Sequence, residues 1–419
     1  MKRIFEMKLI FAIIFLVMTQ IVTADDTSSP VNFSGEIRLR GEYDNRDFTS
    51  ETAGYNYSRL RTRLNIKSQP GENVLLFAQI QDSRDFGTED TSGYGGTLSN
   101  SQNLDLHQGY FQIRKFIVPW LSVKAGRMTL AYGGQRLLGE NPWSNTGRAF
   151  DAAMLTIKIN QVTLDMFNAS LVESYQNGDE NDGDQFLTGV WGHTKFHKSH
   201  NLNFYYLFDA DKQRNEANDW KLKRSTAGLR VESNVGDLGI ETEFNYQFGS
   251  MAYNSDISAL YFISTLGYRF HHPWKPKFSI GFDYLSGDDP NTEKFEAFNT
   301  LYPARHRFFG YMDYFKEFPK HTSNAGLNDL RFQASLSPTE KLNLQVDVHL
   351  YHLSQRVMLP ETGESENIGK ELDLRVKYGY LKNVNFDFGI GAFFPENVFK
   401  TWKGSDTSVW FYGATSVSF

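Results

Sequence analysis

The sequence predicts an all-β chain, a transmembrane antiparallel up-and-down β-barrel of about eighteen strands with long extracellular loops and short periplasmic turns. Three observations predict it. Charged and apolar residues alternate at period two from Val31 to the C-terminus, short and long joints alternate between those segments, and the chain opens on an export address.

The address comes first. Lys2, Arg3 and Lys8 are basic, Leu9 to Val17 is an unbroken apolar run, and Val22-Thr23-Ala24 places small or β-branched residues before Asp25. This is the pattern of a secretory signal peptide. The run is too short for a membrane anchor, which needs about 20 apolar residues. Cleavage is expected after Ala24, leaving 1–24 as signal peptide and 25–419 as one barrel domain. Losing three basic residues and Glu6 moves the formal charge from -6 by two units, to -8. No later run is long enough for a transmembrane helix, and the mean hydropathy is -0.46. An aromatic content of 15% with 34 Gly and only 12 Pro suits strands with aromatic girdles. The absence of Cys excludes a disulfide framework and a thiolate site. The acidic balance argues against nucleic acid, whose phosphates need a basic face.

The strands follow. Glu36-Ile37-Arg38-Leu39-Arg40 alternates, Arg59, Arg61 and Arg63 alternate with Leu60, Thr62 and Leu64, and Glu371, Asp373, Arg375 and Lys377 alternate with Leu372, Leu374 and Val376. Successive strand side chains point to opposite faces, so each segment has one charged and one apolar face. Short joints fall at Pro70-Gly71, Val118-Pro119, Asn160-Gln161, Ser199-His200, Gly236-Asp237, Pro273-Trp274, Pro338-Thr339 and Lys382-Asn383. Long joints cover 45–54, 87–103, 132–149, 175–184, 211–222, 250–256, 287–326, 355–368 and 396–406. Eight short and nine long joints give seventeen connections and eighteen strands. A soluble sandwich also alternates, but this asymmetry of joints belongs to outer-membrane barrels, and closure removes the sheet edges that lipid could not satisfy. The last segment, Trp410-Phe411-Tyr412 to Phe419, resembles the terminal strand read by the barrel-assembly machinery. The loop at 287–326 is too long for a passive connection and is a candidate lid.

With apolar faces toward outer-membrane lipid, the charged faces meet a water-filled lumen. The inward set is Arg38, Arg40, Arg59, Arg61, Arg63, Lys67, Arg114, Lys124, Arg127, Arg230, Arg331, Arg375 and Lys377, with Glu36, Glu42, Asp283, Asp347, Glu371, Asp373 and Asp387 sharing that face. A guanidinium-rich lumen attracts anions, and Arg forks bind carboxylates bidentately. The competing reading is that Arg and Glu pair across strands to stiffen a wide barrel.

Three stretches carry a family resemblance. Gly126-Arg127, Tyr132-Gly133, Arg136-Leu137-Leu138-Gly139, Trp143, Asn145 and Arg148-Ala149-Phe150-Asp151 resemble the alginate export family of outer-membrane porins. So do Asp288-Asp289-Pro290, Phe298-Asn299, Leu301-Tyr302-Pro303, His306 and Gly310-Tyr311-Met312-Asp313, and then Gly369-Lys370-Glu371-Leu372-Asp373. The resemblance spans nearly the whole mature chain. It implies a monomeric eighteen-stranded barrel with an electropositive, Arg-lined pore for an acidic exopolysaccharide, gated by long loops or a periplasmic turn. Here every short joint is brief, so a periplasmic plug is not expected. Gly126, Gly133, Gly134 and Gly139 suit tight turning where strand meets loop. Trp143 and Tyr132 suit an outer aromatic belt. Arg127, Arg136, Arg148 and Asp151 join the wall arginines as candidates to line or shape the pore.

No catalytic set emerges. His107, His349 and His352 lack a serine motif nearby, His349 and His352 fall on opposite strand faces, and His271-His272 sit at a turn. Asp288, Asp289 and Asn291, with Asp179, Asp182 and Asp184, offer hard oxygens without the spacing of a calcium loop. No cofactor or metal is expected. The expected function is export of an alginate-like anionic polysaccharide, with uptake of small anionic or mixed-charge solutes as the alternative and an adhesive barrel as a third.

Overall fold

A computed structural model describes residues 31–49, 51–86, 104–173, 183–214, 220–251 and 255–419. The expected signal peptide, the 87–103 loop and most of the 175–184 loop lie outside the described residues. The strands are β1 (Asn32–Asn45), β2 (Tyr55–Ser68), β3 (Val74–Asp85), β4 (Leu104–Ile113), β5 (Leu121–Met128), β6 (Phe150–Ile159), β7 (Val162–Val172), β8 (Gln185–His197) and β9 (His200–Arg214). The second half comprises β10 (Trp220–Val235), β11 (Leu238–Met251), β12 (Ser255–Arg269), β13 (Lys277–Leu285), β14 (Leu327–Leu336), β15 (Leu342–Leu359), β16 (Gly363–Leu381), β17 (Val384–Pro395) and β18 (Ser408–Ser418), with a short α-helix, α1 (Asn397–Trp402), and 3-10 turns at Arg305–Arg307 and Lys320–Thr322.

Each strand pairs antiparallel with its sequence neighbours, and β1 pairs with β18 at Arg38↔Ser416, so the eighteen-stranded sheet closes on itself. Closure leaves no edge, which lets backbone groups be satisfied in lipid. The alternation holds strand by strand. On β1, Phe33, Ile37 and Leu39 are exposed on the outer face while Arg38 and Arg40 are buried on the inner one. All eight short joints lie at one end of the barrel, in the turns between even-numbered and odd-numbered strands.

Three expectations change. The 355–368 loop is replaced by a hairpin: β15 runs to Leu359 and β16 starts at Gly363, with shifted register near His352. The chain there has left lipid, so ladder bonds form without an apolar outer face to signal them. Strands β9 to β12 likewise extend into the expected 211–222 and 250–256 loops. Most consequentially, the lumen is not simply water-filled. The 129–149 and 286–326 loops fold inward and build an apolar core there from Leu130, Leu137, Phe308, Met312, Phe315 and Phe318. Tyr132 and Trp143 join that interior core instead of an outer belt.

Candidate functional site

The register of the β1–β2 hairpin sets Arg38 opposite Arg61 and Arg40 opposite Arg59, with Glu36 opposite Arg63. Like charges directly across a ladder repel, so this stack needs acceptors. The wall supplies three carboxylates, Asp85 accepting from Arg59 Nε at 2.9 Å. Arg61 Nη2 donates to Glu36 Oε1 at 2.6 Å, and Arg40 Nε donates to Glu42 Oε1 at 2.7 Å. The 129–149 loop supplies the rest. Arg38 donates to the carbonyls of Pro142 (2.8 Å), Trp143 (3.2 Å) and Ser144 (3.1 Å). Arg40 reaches Trp143 O at 2.7 Å, and Arg61 reaches Pro142 O and Ser144 O at 3.0 and 3.1 Å. Loop carbonyls have no ladder partner, and guanidinium is a donor-only fork, so each satisfies the other. Arg40 also lies over the Trp143 ring at 3.9 Å.

The other face of Trp143 stacks on His306 of the second loop at 3.8 Å. The two loops are further joined through Tyr302 N to Leu137 O (2.8 Å), Gly139 N to Tyr302 O (2.8 Å) and Ala304 N to Gln135 O (3.0 Å). Gly139 is required here, since a Cβ would lie 2.7 Å from Ala304 N. The second loop docks on the far wall through backbone amides: Met312 N donates to Glu371 Oε1 at 2.7 Å and Tyr311 N to Asp373 Oδ2 at 3.1 Å. Gly310, with φ 80, permits that approach, because a Cβ would meet Glu371 Oε1 at 2.3 Å. Asp313 sits 3.1 Å from His306 and 3.4 Å from Lys316. Burial pushes its carboxyl up, but His306, Lys316 and Arg46 outweigh it and hold the group at about 2. Burial, reinforced by Arg305, pulls the Arg148 guanidinium down to about 10.

Two larger cavities lie on the outer side among the described residues. One of about 860 Å3 is lined by Arg40, Glu42, Arg59, Asp85, Trp143 and His306, among others. The second, of about 790 Å3, includes Gln81, His107, Arg148 and Tyr302, and Thr146 borders both. Arg59, between Asp85 Oδ1 (2.9 Å) and Glu42 Oε1 (3.3 Å), keeps 31% of its side chain in solvent.

The remaining candidates scatter. Arg63 bridges Gln81 Oε1 (2.7 Å) and His107 Nε2 (3.2 Å). Arg136 is buried against Asp283 and Tyr261, away from open space. Arg148 donates to Pro303 O at 2.9 Å and Gly139 O at 3.2 Å, clamping the two loops. Arg331 donates to Phe308 O at 3.2 Å. Arg375 pairs with Asp387, its Nε 2.9 Å from Oδ1. Arg127 and Asp151 pair at 2.8 Å near the outer rim and line the second cavity, where Arg127 also lies 3.7 Å from Asp105. The acidic loop groups serve turns: Asp288 Oδ1 accepts Glu296 N at 2.9 Å, Asp289 Oδ1 accepts Asn291 N at 2.9 Å, and Asp184 pairs with Lys212. Asp179 and Asp182 lie outside the described residues. Sequence reasoning missed His306, Phe308, Phe315 and Phe318 as interior groups. Their signal is a run of aromatics, Phe308 to Phe318, that a solvated loop has no reason to carry.

A model of the family described as "Alginate export" matches residues 29–412. The chain belongs to the alginate export family. Among solved structures it is similar to Pseudomonas aeruginosa OccK3 (OpdO), at TM-score 0.62 and 14% identity over 93% of this chain and 96% of that one. It is similar to Acinetobacter baumannii OccAB4 at TM-score 0.62 and 11% identity, over 94% and 100%. It also resembles Pseudomonas aeruginosa OccK11 (OpdR), at TM-score 0.60 and 12% identity over 92% and 96%. At such identities the likeness shows the fold. No curated protein matches. This alginate export barrel is a bacterial outer-membrane channel protein whose outer wall meets lipid and whose short-turn end faces the periplasm.

Proposed function

We propose that this alginate export barrel conducts small carboxylate-bearing solutes, including acidic saccharides of a few rings, along the β1–β3 arginine wall. One observation carries the reading: the 129–149 and 286–326 loops join each other inside the lumen, leaving outer chambers of about 860 and 790 Å3 beside Arg59 and Arg148. Chambers of that size fit small ligands, whereas a polymer in transit needs the clasp open. The guanidiniums that hold loop carbonyls can exchange them for a passing carboxylate, so binding is shared and release is quick.

Export of an acidic polysaccharide is the second reading, and the family match favours it. The two separate by size. Proteoliposomes should admit a uronate monomer and dimer faster than neutral sugars of equal size, while a long polyuronate blocks without crossing. Passage of the long polyuronate would assign the chain to export. Equal rates for charged and neutral sugars would remove the anion preference altogether. The reading includes no catalytic step and a monomeric barrel, processed after Ala24 and inserted through its terminal strand ending at Phe419.

A further inference from the structure

The eight short turns carry an uneven charge. Within two residues of those joints stand ten Lys or Arg against three acids, Glu72, Asp237 and Glu340. The long joint at 175–184 leans the other way, with four acids and no Lys or Arg. The basic excess is densest where β12, β13 and β14 meet. Their registers set Arg269 directly opposite Lys277, and Lys277 opposite Ser335. These side chains point into the barrel. Leu266 and Tyr268 are exposed on the outer face, so Gly267 and Arg269 fall on the inner one. A Cβ on Gly267 would meet Lys277 Cε at 3.1 Å, which places that side chain along the same inner face. An open basin of about 730 Å3 lies there, lined by Arg269, Lys275, Lys277, His272, Ser335 and Ser337 among others. No carboxylate among the described residues lines it.

We propose that this basin is an anion-collecting station at the periplasmic mouth, where a carboxylate of the conducted solute docks between Arg269 and Lys277. The proposal rests on the reading above that the barrel conducts carboxylate-bearing solutes, and it adds the end from which they load. Like charges directly across a ladder repel. On the outer side, Arg38 and Arg61 offset that repulsion with the carbonyls of Pro142 and Ser144. Arg269 and Lys277 have no such acceptor. Neither they nor Lys275 forms an ion pair or a side-chain hydrogen bond among the described residues. Asp237, the acid of the adjoining turn, is engaged by His271 Nε2 at 2.6 Å. Residues directly opposite hold their Cβ atoms about 5 Å apart, so a guanidinium fork and an ammonium converge on one carboxylate. Ser335 and Ser337 add hydroxyl donors to the same basin. The wall arginines must exchange an internal acceptor for a passing anion, whereas these cations have none to give up. A cationic mouth raises the anion concentration on its own side by about tenfold or more, until salt screens it. Anions are therefore drawn in from the periplasm, and acidic joints such as 175–184 give no such attraction outside.

Side-dependent block of single channels tests this, with polygalacturonate added to one face of a planar bilayer at a time. A neutral glucan of equal length is the comparison. The chain has no Cys, so Gln161→Cys in the β6–β7 turn, labelled by an impermeant thiol reagent, reports which face is periplasmic. The wild type should be blocked from the periplasmic face at about one tenth of the polygalacturonate needed from the outer face. Arg269→Ala/Lys277→Ala should abolish that difference. The charge-keeping Arg269→Lys/Lys277→Arg should retain it, which separates lost charge from lost folding. Salt at about 1 M, where the screening length is about 3 Å, should abolish it in the wild type too. Block from neither face, or equal block by the glucan, would overturn the station together with the anion reading. Equal block from both faces, or a double alanine variant that keeps the difference, would overturn the station and leave that reading standing. Relief of the periplasmic block by inorganic phosphate at lower concentration than by galacturonate would overturn the carboxylate assignment.

Discussion

The two sides of the lumen hold their loops by different forces. Against β15–β18, the 286–326 loop is mainly packed: beside two backbone amide bonds to Glu371 and Asp373, Met312 and Phe315 share one buried cluster with Tyr351, Phe393, Phe399 and Trp410, each at most 1% exposed. Against β1 and β2, the 129–149 loop is held by guanidinium-to-carbonyl bonds from Arg38, Arg40 and Arg61. Apolar burial is non-directional and indifferent to solute charge. Arginine bonds are directional and can be competed for by an anion. One wall therefore fixes the lumen's shape, and the other is where a solute acts.

The largest expected effect is on the packed side. Phe315→Ala should cost about 3–5 kcal/mol and leave a cavity the loop cannot fill. A lowered urea midpoint with raised conductance would confirm the loop as a packed partition; no change in either would break the contrast between the walls. On the arginine side, Arg38→Ala removes three of the six guanidinium-to-carbonyl bonds, leaving Pro142 and Ser144 to Arg61 and Trp143 to Arg40, and should cost about 1–2 kcal/mol. Protease sensitivity should then rise at 129–149 alone, and exposure of both loops together would mean that they do not dock separately.

A pH titration sharpens the same comparison. Asp313 is held at about 2, below its ordinary 3.8, so folding favours the ionised form. Its contribution, about 2 kcal/mol, is complete above roughly pH 4 and is lost as pH falls toward 2. Conductance should therefore rise across that window in the wild type and be flat in Asp313→Asn. A rise at higher pH would place the titrating group elsewhere. The smallest effect belongs to Arg127→Ala. Its pair with Asp151 is exposed, with side chains 40% and 57% accessible, and should be worth at most about 1 kcal/mol. A large change in ion selectivity there would move the anion path from the β1 and β2 arginines to the Arg127 side of the second chamber.

Strand number and closure were legible because lipid imposes an outward apolar residue at every second position, as at Ile37 and Leu39, and turn residues punctuate the short end. The β15–β16 hairpin was hidden because strands beyond lipid lose that constraint, and from Gln355 to Asn367 the apolar Val357, Met358 and Leu359 are consecutive and do not alternate. The arginine stack was legible as a group, while its acceptors were not. Arg38 and Pro142 are 104 residues apart, and a backbone carbonyl leaves no residue-type signal. Arg136 and Asp283 each read as lumen charge, yet they neutralise each other behind a loop. The inward loops left a trace in Phe308, Phe309, Phe315 and Phe318, aromatics with no lipid or solvent role in a loop.

The most direct test of the arginine wall is the reversal potential of single channels under a salt gradient, for the wild type and for Arg59→Ala/Arg63→Ala. Arg59 lines the larger chamber, Arg63 holds Gln81 and His107 of the second, and neither is among the arginines that hold the carbonyls of Pro142, Trp143 and Ser144. The account predicts anion selectivity in the wild type and a shift toward non-selectivity in the double variant, at unchanged open-channel stability. A cation-selective wild type, or a double variant with the same reversal potential, would contradict it.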